Sequence, residues 1–434
     1  MPLRGRIKSW PWWLQANYLV VVVFMVFATA LNGLGRMTQA GALLILVAGY
    51  RFFSYRVPRR NLPAIPRAVK YYLAWVVWCI VTGPWVAIYR PYLIQQLWVL
   101  VQVVVCMGAC YILFSRQRQD SYMPYILLII VAMNIVAIKM GYELIKEEGV
   151  RGIVQTQTEV GENRIGGLSG NANGLGFVFL NGIWALMALW RGGGFRAKWM
   201  RFLFKPIVVC GICLCGYYVF QTGSRKTLLT AVILCVGWVM WVVPGRLTAA
   251  SFLVRVMLAI LLVIIGAVGF GYVMRDTVVG ARLWELVDSG GGSVIGGMQE
   301  DVRYQLVQRG LNLFWQHPLC GVGFMQYIIH VGLFAHADYI EVLADTGLIG
   351  FVLNQGFAVS AAIMLCKLLR RRLSSERAYK IRMYLLFIVC NHYLLCFGAT
   401  FAGAHWHVII MTFIALEAQK LWDENVRGKC LCGT

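Results

Sequence analysis

The 434-residue chain is 60% hydrophobic, only 13% charged, and carries a formal charge of +22, a balance too apolar for an ordinary soluble domain of this size. A basic excess can serve nucleic-acid binding through counterion release, but here its distribution along the chain assigns it to membrane topology. The 13 cysteines have no zinc-type spacing, form no evident disulfide framework, and read as small apolar core residues.

A helix crosses a hydrocarbon core with about 20 apolar residues and satisfies its own backbone groups, and by that criterion the sequence predicts an all-α polytopic membrane protein of about twelve transmembrane helices. In chain order the spans cover residues 17–34, 41–53, 69–89, 92–114, 122–141, 171–190, 202–220, 226–243, 252–273, 347–366, 382–398 and 404–421. The stretch Met1 to Lys8 precedes the first run without an evident small-residue cleavage site, so that run reads as a retained span.

Lys and Arg collect in cytoplasmic loops. With the N-terminus inside, the basic stretches Arg51 to Lys70, Arg116 and Arg118, Arg191 to Lys205, Arg246 and Arg255, and Lys367 to Arg382 all fall on inner segments. The terminal residues Arg4, Arg6, Lys8, Lys420, Arg427 and Lys429 join them, and the outer segments are left close to neutral. The charge is thus a topology signal that needs no nucleic-acid partner, and it places both termini in the cytoplasm. The predicted organisation is spans one to nine over 1–273, a large helical outer loop over 274–346, and spans ten to twelve with a cytoplasmic tail over 347–434. A second long outer segment covers 142–170. Long ordered loops commonly carry function. The larger one opens on the Gly- and Ser-rich Asp288 to Ser293 and continues through Met298 to Trp315, which reads as a helix along the membrane surface.

Four outer stretches hold polar chemistry. Arg164, followed by Gly170, Asn171, Asn173 and Gly174, leads polar side chains into span six; helix packing explains the glycines, while the asparagines need a neighbouring helix or a bound head group. Gly223-Ser224-Arg225 opens span eight. A helix N-terminus offers free N–H groups to an anion and Arg adds a planar fork suited to phosphate, although snorkelling is the commoner fate of an interfacial arginine. Arg303 lies on the surface helix, ahead of His317-Pro318 and of Gly321 and Gly323, which could flank a turn where backbone approaches a ligand. Finally His336, Asp338, Tyr339, Glu341 and Asp345 precede Gly347 and Gly350 at the mouth of span ten. An imidazole there can take a proton near neutrality, or the cluster can simply cap and solvate a helix end. His405 and His407 sit two apart on a helix, which points their rings to different faces and speaks against a metal site. His392 reads as a core histidine.

The spacing of His336, ten residues, then Gly347-x-x-Gly350 resembles the signature of the O-antigen ligase and O-antigen polymerase superfamily. The Gly170-Asn171-x-Asn173 entry, Gly223-Ser224-Arg225, and the Arg303 helix leading to His317-Pro318-x-x-Gly321-Val322-Gly323 extend the resemblance over roughly residues 164–355. Ala337, where ligases favour Asn, Ser or Gln, and Phe351, where they favour a small residue, depart from the ligase pattern. The resemblance implies a GT-C-like fold in the bacterial cytoplasmic (inner) membrane. It implies inverting, metal-independent transfer of a glycan from undecaprenyl diphosphate to a hydroxyl of lipid A–core at the periplasmic face, with no cofactor. A second lipid-linked repeat would be the acceptor for a polymerase, and a protein hydroxyl the acceptor for an oligosaccharyltransferase.

In that reading Arg225 and Arg303 bind the diphosphate and stabilise the charge it gains on leaving. Arg164, Asn171, Asn173 and Tyr339 contact donor or glycan, His336 is base or orienting partner for the acceptor hydroxyl, and Asp338 holds its tautomer. A secondary transporter would also have many spans and surrounding membrane lipids as partners, but it should show repeated halves and midplane charges. A structural scaffold leaves Arg225, Arg303 and His336 without a role.

Overall fold

The computed structural model describes residues 20–25, 37–54, 64–115, 123–148, 155–157, 163–165, 168, 172–191, 198–222, 224–242, 253–260, 302–371, 373–397 and 404–431. Its main helices are α1 (Met37–Ser54), α2 (Arg67–Val86), α3 (Arg90–Ser115), α4 (Met123–Glu148), α5 (Ala172–Leu189), α6 (Lys198–Gln221) and α7 (Arg225–Gly237). They continue with α8 (Val302–Gln316), α9 (Tyr327–Val331), α10 (Asp338–Leu369), α11 (Ser375–Phe387) and α12 (His405–Leu431). Both α7 and α11 run on into π-helical turns, Trp238–Val242 and Ile388–Leu394. The one departure from an all-helical fold among the described residues is a hairpin, β1 (Gln155–Gln157) antiparallel to β2 (Asn163–Ile165).

Among the described residues six helices are long and apolar enough to cross a membrane: α2, α3, α5, α10 and the apolar parts of α4 and α6, while Gly41–Tyr50 and Lys226–Val242 are shorter apolar helices. The chain is a multi-pass membrane protein. Its outward face shows why: Trp85, Phe202, Leu46 and Ile94 are exposed by 86, 73, 69 and 66%, an apolar exterior that fits lipid rather than water. Span one and span nine lie largely outside the described residues, as do Asp288 to Ser293 in the large loop.

α5 is the central helix, with 83% of its span buried. Trp184 packs on Phe387 and Tyr384 and its indole N–H donates to the Met383 carbonyl at 2.8 Å, which fixes α11 against α5. Small residues admit close approach elsewhere, as membrane helix pairs require: Gly356 of α10 receives the ring of Tyr71, Gly350 that of Trp78, and Gly83 of α2 the side chain of Leu93.

The bundle has two chemically different ends. At one, Arg191 donates to Ser375 Oγ and lies over the Tyr379 ring, and Lys380 and Lys420 pair with the mostly buried Glu417 at 2.9 and 3.2 Å. Lys420 also reaches the Phe114 carbonyl at 2.6 Å, Arg377 pairs with Glu424 at 3.0 Å, and Arg371 covers the Trp422 ring. These contacts gather the ends of α3, α5, α10 and α12 and the start of α11. The starts of α5, α7, α10 and α12 lie at the other end.

The structure moves several predicted boundaries: the helix of span eleven begins at Ser375 rather than 382, that of span twelve runs on to Leu431, and the change at span ten bears on the site. Span ten was expected to begin at 347, yet α10 begins at Asp338, and Gly347, with φ 65° and ψ −172°, is a kink inside it. The loop therefore ends in helix, and its last residues are built into the same element as the span.

Candidate functional site

α10 breaks at Gly347, and four backbone groups around the break bond outside the helix. Leu348 N–H donates to Pro318 O at 2.8 Å, Val322 N–H to Ala344 O at 2.9 Å and Gly323 N–H to Asp345 O at 2.8 Å, while the Trp78 indole donates to Thr346 O at 3.0 Å. A kinked helix in an apolar setting must find such partners for its backbone. The chain from Pro318 to Gly323 passes so close that a Cβ on Gly347 would overlap the Leu319 carbonyl, and one on Gly321 would overlap the backbone of Asp345. Gly321 and Gly323 also have positive φ of 67° and 105°. The structure gives these glycines other neighbours than a ligand: Gly321 admits α10, and Gly323 faces Gln326 and Ala87.

The three carboxylates of the first turns of α10 are all buried, and each has a bonding role. Asp345 accepts from the N–H of Met325 at 2.8 Å and of Tyr327 at 2.6 Å, closing the turn before α9. Asp338 accepts from Cys396 Sγ at 3.7 Å. Glu341 Oε1 accepts from the His336 N–H at 2.8 Å. Gln326, fully buried, ties the same loop to the α2–α3 junction, its Oε1 accepting from Tyr89 N–H at 3.0 Å. Tyr327 donates its hydroxyl to Leu306 O at 2.7 Å, and burial first, then the carboxylate of Glu341, pushes that hydroxyl up to about 12, so it stays a donor.

His336 is the exception to this burial. Its side chain is exposed and its φ is +54°, a left-handed conformation that costs a non-glycine residue about 1–2 kcal/mol. Glu341 holds it there. An exposed imidazole on a fixed backbone, beside the buried carboxylates of α10, can accept or orient a hydroxyl proton. Tyr339 sends its hydroxyl to the Tyr393 carbonyl at 2.8 Å and sets its ring edge-on to Phe397, joining α10 to the π-helical turn after α11.

The other predicted residues converge less completely. Arg225 is the first residue of α7. The turn before it is a buried knot: Thr222 Oγ1 donates to Val219 O at 2.7 Å, and Ser224 Oγ lies 2.8 Å from Thr227 Oγ1. Gly176 of α5 packs directly on this knot. Lys226 lies over Phe177, Phe177 meets Trp406, and His407 Nε2 is 2.9 Å from His392 Nδ1. That chain of contacts reaches Tyr393 and Tyr339, so the start of α7 and His336 share one end of the bundle.

Arg303 lies in the first turn of α8, which docks on α10 where Gly310 faces Ile340 and Tyr327. Arg164 lies in β2, opposite Thr156, and Asn173 in the first turn of α5. The side chains of Arg164, Arg225 and Arg303, and the whole of Asn171, fall outside the described residues. His407 is turned to His392, its Nε2 2.9 Å from His392 Nδ1, and no group of three or more metal-ligating side chains occurs among the described residues.

Sequence reasoning missed Gln326, Trp78 and Asn134 as site supports. Asn134 is fully buried in α4 and accepts from Leu168 N–H at 3.4 Å, anchoring the entry to α5. A buried amide in an apolar span was the available signal.

Residues 210–354, about a third of the chain, match a family model described as O-antigen ligase. The match starts within α6, contains Arg225, Arg303, His336, Asp338 and Tyr339, and runs past the kink of α10. Over that segment the chain is similar to the O-antigen ligase and polymerase superfamily. No curated protein matches the chain.

Proposed function

We propose that the chain is an O-antigen ligase: it transfers a glycan, with inversion and without a metal, from undecaprenyl diphosphate to a sugar hydroxyl of lipid A–core. The observation that carries the reading is His336, exposed on a left-handed backbone that Glu341 fixes, within the matched segment. The chemistry asks for little more than placement and charge. The acceptor hydroxyl attacks the anomeric carbon, the bond to the diphosphate oxygen breaks, and the hydroxyl proton passes to His336. The lipid diphosphate leaves with added negative charge, which Arg225 and Arg303 stabilise. Arg164, Asn171, Asn173 and Tyr339 line the donor and glycan path, and Asp338 supports the imidazole.

The separation of the basic end from the His336 end supports an orientation with both termini in the cytoplasm and the site facing the periplasm of the inner membrane. A lipid-linked repeat unit as acceptor would make the protein a polymerase, a reading favoured by Ala337, the helix N-cap, and by Phe351, which packs against Tyr339.

The test is glycan transfer in liposomes with lipid A–core and a second lipid-linked repeat offered separately, using wild type and His336→Ala. Product on lipid A–core that vanishes in the variant is the expected result. Longer lipid-linked chains would make it a polymerase, and flux without covalent product a transporter.

A further inference from the structure

At the end of the bundle opposite His336, several of the described cations are engaged: Arg191, Arg371, Arg377, Lys380 and Lys420 have the partners described above. Lys367 and Arg370 differ. Both are exposed, and both line an open groove of about 400 Å³ whose other walls are Val359, Ala362, Ile363, Cys366 and Tyr393. The groove therefore has an apolar length and a cationic mouth. Residues 359 to 370 of a helix span about 16 Å at 1.5 Å per residue, close to one leaflet of a hydrocarbon core about 30 Å thick. Val359 and Ile363 are 41 and 49% exposed, so the walls are open to whatever lies beside α10.

We propose that this groove binds an anionic phospholipid, its phosphate on Lys367 and Arg370 and one acyl chain along Val359, Ile363 and Cys366 towards Tyr393. Lys367 and Arg370 lie three apart on the helix and so project together. A guanidinium fork beside an ammonium matches a phosphate better than either cation alone, and basic pockets between membrane helices suit anionic head groups. A zwitterionic lipid offers the same chains, but its own ammonium would face these two cations. The cationic mouth of the groove is distinct from the site for the donor diphosphate, which belongs at Arg225 and Arg303 at the far end of the bundle, while the Tyr393 wall of the groove reaches towards Tyr339.

The proposal predicts that native mass spectrometry of the full-length protein in detergent, titrated with phosphatidylglycerol or phosphatidylethanolamine, shows a phosphatidylglycerol adduct preferred by about tenfold. Lys367→Gln combined with Arg370→Gln should remove the preference, and Ile363→Ser should weaken the adduct while leaving the charges in place. Arg377→Gln, at the same end but paired with Glu424, should bind as wild type does. Equal adducts of both lipids, an unchanged preference in the double variant, or displacement by an equal concentration of soluble glycerol phosphate would each overturn the proposal.

Discussion

Glu341→Ala should disable His336 without unfolding the protein. The Glu341 carboxylate accepts the His336 N–H at 2.8 Å, a charge-assisted bond of about 1.5–3 kcal/mol. It works against a left-handed backbone penalty of about 1–2 kcal/mol at His336. Removing the bond lets that penalty drive the residue back to an ordinary conformation. At about 1.4 kcal/mol per factor of ten, the population with His336 in place falls roughly 10- to 150-fold. Glu341→Gln keeps an oxygen acceptor and should lose only about 1 kcal/mol, roughly fivefold. Glycan transfer measures the consequence, and hydrogen exchange at the His336 amide measures the cause independently of any substrate. Full activity in Glu341→Ala, or equal losses in Ala and Gln, would refute the reasoning.

Gly347→Ala places a Cβ against the Leu319 carbonyl on a residue with φ 65°; the clamp between α10 and residues 318–323 should open at a cost of about 3–5 kcal/mol, seen as faster exchange at Leu348 and Val322. Gly310→Val would meet Ile340 and Tyr327 and push α8 away from α10; donor affinity should fall with Arg303 intact, and a transfer assay over donor concentrations reads this as a raised KM. Partial desolvation first and then the neighbouring His317 hold His330, which still faces solvent, below the usual histidine value, so the folded loop binds that proton slightly less readily than the unfolded chain. Loop stability should be complete above about pH 6.5, the ordinary value, and decline as pH falls below it; proteolysis of the loop against pH checks this, and His330→Gln should flatten the profile.

Much of the architecture was legible because lipid imposes a simple rule on sequence. Apolar runs such as Ala172–Leu189 and Arg90–Ser115 can be nothing but buried or lipid-facing helix, and Arg191, Arg371, Arg377, Lys380 and Lys420 meet at one end of the bundle. The site was legible in kind, since His336 and its carboxylates stand together in the chain. Their division of labour was not. Asp345, Glu341 and Asp338 look alike in sequence, yet one closes a turn, one holds the His336 backbone and one receives a thiol. Gly321 and Gly347, 26 positions apart, look like unrelated loop glycines until each is seen to admit the other's strand of backbone.

The sequence by itself determined the membrane setting and the helical class, because both follow from composition, and it marked His336 as a candidate through its spacing to Gly347 and Gly350. Only the tertiary structure decided that α10 starts nine residues before its kink at Gly347, and that Trp78, Gln326 and Glu341 hold the loop in place. The physical reason is that a released carbonyl or N–H in an apolar bundle takes whichever partner the packing brings to it, and that partner can lie anywhere in the chain.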